Sequence, residues 1–203
     1  MDTSGVVLAL LTVVGAGVLA LIAGGRLRAF TELHVRGLWY VVGAVAAQVA
    51  GGWLASGTGH SGFYTAGLAL SAASGLAFCV RNLHLAGVPL ITLGLALNAL
   101  VVGLNAAMPV SIFAASRAGV PLTSIAAGND PRHTIAGYGS TWRQLGDVIP
   151  VPLPVVPEVV SAGDVLVAAG LAEFVVIAMT RRSKQSQVAS PPESVVALSH
   201  LTG

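Results

Sequence analysis

The chain has 203 residues, 55% of them hydrophobic and 9% charged, with a net charge of +2 and a mean hydropathy of +0.83. Soluble domains carry roughly 25% charged residues, so this composition excludes a water-soluble globule; the small net charge, with no basic aromatic-rich patch, argues against nucleic acid as a partner. Cys79 is the single cysteine, which excludes a disulfide framework and a cysteine-based metal site, and its apolar surroundings make it a small buried hydrophobe.

The first apolar run, 5–24, matches the ~20 residues needed to cross a bilayer. Arg26 and Arg28 follow this run. A cleavable signal peptide has its basic residues first, so the run is expected to be a retained span. A second run, 38–56, opens on Trp39-Tyr40 and closes near Trp53, as aromatic residues at both interfaces would. The third run, 63–80, stops at Arg81, and the fourth, 85–108, has Pro89 in its first turns, where proline is best tolerated. Residues 109–157 are less apolar and predict a long outer loop. Within it, 112–127 suggests a short surface helix, and Gly128-Asn-Asp-Pro131 is a turn signal. Prolines at 150, 152, 154 and 157 predict extended backbone. The fifth run, 158–180, ends at Arg181-Arg182, and the tail 183–203 has a disordered composition.

Five spans gather Arg26, Arg28, Arg36, Arg81, Arg181, Arg182 and Lys184 on one side and leave only Arg117, Arg132 and Arg143 on the other. The positive-inside rule then predicts an outer N-terminus, a cytoplasmic C-terminus and an outer loop 109–157. The expected fold is thus an all-α integral membrane protein, a bundle of five transmembrane helices over residues 1–182, with a cytoplasmic tail.

Two aspartates stand in the same local setting, Gly-Asp-Val: Asp147 in the loop and Asp164 near the start of the fifth run. A carboxylate inside a membrane helix is costly without a partner or a task. Two carboxylates in a partly dry site do not both ionise easily; one holds the proton as an acid and the other activates water as a base. Such a pair hydrolyses amide bonds without metal or cofactor, so none is expected. Glu158 reads as an acid favourable at a helix N-terminus, and Glu173 as a packing or snorkelling contact on the opposite face from Asp164. Gln48, Ser71 and Ser74 read as helix-packing hydrogen bonds. Asn98 and Asn105 share a face of the fourth helix, and Asn105 is expected at the depth of Asp164.

The pieces Asn105-Ala-Ala-Met-Pro-Val-Ser111, Leu145-Gly-Asp-Val-Ile-Pro150 and Val160-Ser-Ala-Gly-Asp-Val-Leu-Val167 resemble a bacterial multi-pass membrane family of unknown function. The last four spans also resemble lipoprotein signal peptidase, an aspartyl protease of the bacterial inner membrane. That resemblance implies Asp147 and Asp164 as the catalytic pair, with Asn105 and Ser161 supporting them. It also implies a membrane-embedded peptide or lipoprotein-like substrate. The chain departs from that family in lacking the Asp-Arg that should follow Asn105, in the short turn 57–62 and in an additional first helix.

Rival readings use the same loop. Ser111, His133 and Asp147 would make a Ser/His/Asp hydrolase, but no Gly-x-Ser-x-Gly elbow accompanies them. His60, Asp130, His133 and Asp147 have no ligand-pair spacing for a metal. The strongest rival is a non-catalytic membrane scaffold or accessory subunit whose Asn and Asp side chains only join helices.

Overall fold

The computed structural model describes residues 4–58, 61–128, 130, 132–154 and 157–181. His60, two residues of the 128–131 turn and the tail expected to be disordered lie outside this set. The long helices are α1 (Ser4–Ile22), α2 (Leu38–Thr58), α3 (Ser61–Arg81), α4 (Val88–Asn105) and α7 (Ala162–Thr180). Between α4 and α7 come strand β1 (Met108–Val110), helices α5 (Ile112–Ala118) and α6 (Thr123–Ala126), and strands β2 (His133–Ile135), β3 (Ile149–Val151) and β4 (Glu158–Val160).

The described part is mostly helical. α4 and α7 are long and apolar enough to cross a membrane, and shorter apolar stretches run over Leu10–Ile22, Leu38–Leu54 and Thr65–Arg81. Large side chains such as Ile22, Val42, Val49 and Trp53 point outward and are well exposed, the reverse of a protein that buries its apolar surface in its own core.

Neighbouring helices run in the order α2, α3, α4, α7, α1, and glycines set how closely they approach. α2 and α3 cross where Gly51 meets Gly67; a methyl on Gly51 would come to 2.8 Å from the Gly67 Cα. α4 and α7 meet twice, Gly94 against Gly163 and Gly87 against Gly170, and a methyl at any of the four would collide with the facing backbone or side chain. Helices without a hydrophobic drive to associate depend on such close contact.

One end of the bundle is tied together by polar bonds. The Arg26 amide donates to the Met179 carbonyl at 2.9 Å. Asn82, fully buried, accepts from the Arg36 amide and donates to the Arg36 and Phe78 carbonyls, each at 2.8 Å. The 23–37 connection, the turn after α3 and the end of α7 therefore share this end. Cys79 is buried beside Leu85 and Val88.

The opposite end carries a folded cap in place of a plain loop. β1 pairs in parallel with β2, Met108 opposite His133, and β3 pairs antiparallel with β4, Val151 opposite Glu158. α5 packs on β3 and β4, and its Ala114, Ala115 and Ala118 are buried. The boundaries differ from the apolar runs for local reasons. α4 stops at Asn105 because Ala106 takes a left-handed conformation, φ 63°. α7 starts at Ala162, capped by Ser161. Residues 158–160, expected to open the last helix, form β4, where β-branched Val159 and Val160 suit a strand.

Candidate active site

Each Gly-Asp pair is a packing device. Gly146 lies so close to the Pro109 carbonyl that a methyl would collide with it. This lets the Asp147 amide donate to that carbonyl and the Ser111 amide donate to the Asp147 carbonyl, both at 2.9 Å. Asp147 is thereby bridged to Val110 of β1, and β2 with His133 pairs along the same strand. Gly163 plays the same part in α7: a side chain there would strike the Asn98 amide, so only glycine lets Asn98 reach Asp164.

Asp164 and Ser161 form a capping box. The Ser161 amide donates to Asp164 Oδ2 at 2.9 Å, and the Asp164 amide donates to Ser161 Oγ at 3.0 Å. Asn98 Nδ2 donates to Asp164 Oδ1 at 2.7 Å. Ser161 Oγ lies 2.7 Å from Asp164 Oδ2 and 2.9 Å from Asn98 Oδ1, and its one hydroxyl proton serves either. Ser161 is thus bonded to Asp164 through both its amide and its hydroxyl.

Asn105 does not reach Asp164. Its side chain accepts from the Thr141 amide at 2.8 Å and donates to the Thr141 and Val101 carbonyls at 2.9 and 2.8 Å. It is a clamp at the end of α4, and Trp142, next along the chain, is held at φ 52°. The expected partnership belongs to Asn98, one heptad earlier on the same helix. Asp164 stands in the first turn of α7, because 158–160 form β4. Replacing Asn105 with Ala removes the bonds that hold the exposed Thr141 backbone to α4 and is expected to cost about 1 kcal/mol in unfolding; proteolysis should then cut first near 141.

Asp147 is 5% exposed. Burial, then the charges of Asp164 and Glu158, push its carboxyl up to about 8. Glu158 is itself buried and belongs to this acidic cluster, a role its reading as a helix-start acid missed. A further neighbour is His133, whose Nε2 is 3.6 Å from Asp147 Oδ2, too long for a hydrogen bond. His133 Nδ1 is 2.8 Å from Asp130 Oδ2. Burial raises the Asp130 carboxyl, but bonds from His133 and the Arg132 amide, together with their charges, outweigh it and hold the group below its usual value.

The imidazole therefore faces a carboxyl on each nitrogen, and Ser111 instead caps α5 by accepting from the Ala114 amide at 3.3 Å. A Ser111–His133–Asp147 triad does not assemble. Among the described residues no three His, Cys, Asp or Glu side chains converge as metal ligands. Glu173 is exposed on α7.

Residues 32–176 match the model of a family described as "Family of unknown function (DUF5317)". No curated protein and no solved structure matches the chain.

Proposed function

The chain belongs to the DUF5317 family of unknown function, and from that premise we propose a bacterial inner-membrane protein with an aspartyl-type hydrolase site under its outer cap. α1, α2, α3, α4 and α7 would be the five spans, N-terminus outside and C-terminus in the cytoplasm. The cationic connections gathered at one end of the bundle support that orientation.

The observation that carries the chemistry is the Asp147 carboxyl, buried, under the charges of Asp164 and Glu158, and pushed up to about 8. Near neutral pH it keeps its proton and is the general acid toward a scissile carbonyl oxygen. Asp164 is the partner that orients the attacking water. A carboxylate offers about four lone-pair sites, and the bonds from Asn98 and Ser161 leave room for one more. The substrate class is a membrane-embedded or lipoprotein-like peptide, as for lipoprotein signal peptidase.

New peptide N-termini in native membranes, read by mass spectrometry, are expected with the unaltered protein. They should fall on the order of 1,000-fold with Asp147→Asn or Asp164→Asn. The unaltered activity should decline above about pH 8, where Asp147 loses its proton. Identical termini from protein and variants would remove the hydrolase reading.

A second reading, a non-catalytic accessory subunit, is favoured by one observation. Asn98, Ser161 and Asp164 together already make a complete joint between α4 and α7. In that case Asp164→Asn lowers the amount of protein in the membrane and Asp147→Asn changes nothing.

A further inference from the structure

We propose that His133, oriented by Asp130, is the proton path between the Asp147 carboxyl and the outer aqueous face, which makes the pair positioning and relay residues for the site. The inference rests on the reading of Asp147 as the proton-holding acid, and it adds two residues which that reading leaves without a task. Three observations support it. Side-chain exposure is 6% at Asp147 and 30% at His133, so the imidazole bridges a dry carboxyl and water. Asp130 accepts from Nδ1 at 2.8 Å, which fixes the ring proton there and leaves the Nε2 lone pair toward Asp147. The 3.6 Å gap from Nε2 to Asp147 Oδ2 is one that a small side-chain rotation or a single bridging water closes.

The transfer balances with no other reactant. The Asp147 O–H bond breaks and its proton joins Nε2, giving a carboxylate beside an imidazolium. The Asp130 carboxylate stabilises that cation as the acid of a Ser-His-Asp triad does. The ring then turns to carry its Nε2–H out to water, which takes the proton, and the reverse sequence reloads Asp147. The other charged groups around the pair are Arg132 beside Asp130, Glu158 on β4 and Asp164 on α7. The two acids favour the proton's return to Asp147, and Arg132 tempers Asp130. Ser161 and Glu158 are both buried and offer no comparable exit.

Asp147 can be followed directly with the full chain in lipid nanodiscs. Its carboxylic carbonyl stretch is the infrared band lost in Asp147→Asn. After an upward pH jump across its titration range, the disappearance of that band reports proton release. His133→Ala should slow release on the order of 100-fold, the scale of a positioned acid–base group, and added imidazole should restore it. Asp130→Asn should slow release less, without rescue by imidazole. Unchanged kinetics in His133→Ala, or slowing that imidazole does not relieve, would overturn the path. Should His133→Ala fail to fold, Asp130→Asn decides alone, and an unchanged rate there sinks the proposal. A His133-gated band in a protein that cleaves nothing would keep the relay and remove only the hydrolase reading.

Discussion

Gly163→Ala is expected to open the joint between α4 and α7. The added methyl would overlap the Asn98 side chain and press on the Gly94 carbonyl. Asn98 must then swing away, which breaks its bonds to Asp164 and Ser161. Overpacking of this kind costs about 1–3 kcal/mol, and stranding buried polar groups adds about as much again. The total, roughly 3–5 kcal/mol, is a large part of a typical domain's stability. Unfolding in detergent micelles measures it, and Gly103→Ala is the control. Nothing lies within 4 Å of a methyl at Gly103, so alanine's helix preference should make that change neutral or stabilising by about 0.5–1 kcal/mol. Adding Asn98→Ala to Gly163→Ala relieves the overlap with the Asn98 side chain and leaves that with the Gly94 carbonyl, so the double variant should be less destabilised than the two losses summed. Equal stability of Gly163→Ala and Gly103→Ala would mean that the helices do not cross there.

The second large effect is a loss of stability as pH rises. Asp147 titrates near 8 in the folded chain against an ordinary value of 3.8. Between these values the folded state holds a proton that the unfolded state has released, so unfolding releases it and higher pH favours unfolding. This contribution is complete below about pH 4, shrinks through the interval and is gone above about pH 8. The whole span is worth on the order of 5 kcal/mol. Asparagine resembles the protonated carboxyl in shape and charge, so Asp147→Asn should flatten this part of the profile and leave the variant the more stable form in mildly alkaline buffer. Chemical denaturation across that pH range is the measurement. Parallel profiles for protein and variant would show that Asp147 is not held protonated by its surroundings.

Composition and periodicity carried the coarse architecture: a mostly helical, strongly apolar chain, with α4 and α7 long and apolar enough to cross a membrane. They also singled out Gly146-Asp147 and Gly163-Asp164, whose shared pattern proves to have one physical meaning. In both, a residue without a side chain lets another segment come close enough for the following aspartate to be held. Apolar runs are a poor guide to ends, however. Hydrophobicity continued smoothly through Glu158–Val160, and only pairing with Ile149–Val151 made that segment a strand. Across the helices it is Asn98, not Asn105, that bonds Asp164.

Sequence by itself determined the strongly apolar character of the chain and its helical elements, because apolar composition and helical propensity are local or summed properties. It also marked Asp147 and Asp164, because a carboxylate within apolar surroundings stands out in one dimension. Only the tertiary structure decided who stands beside them. Asn98 reaches α7 across two glycines, Glu158 arrives on a strand, and His133 with Asp130 comes in along β1. Each of these meetings joins residues far apart in the chain, and their cohesion lies in close approach and dry surroundings that no stretch of residues carries alone.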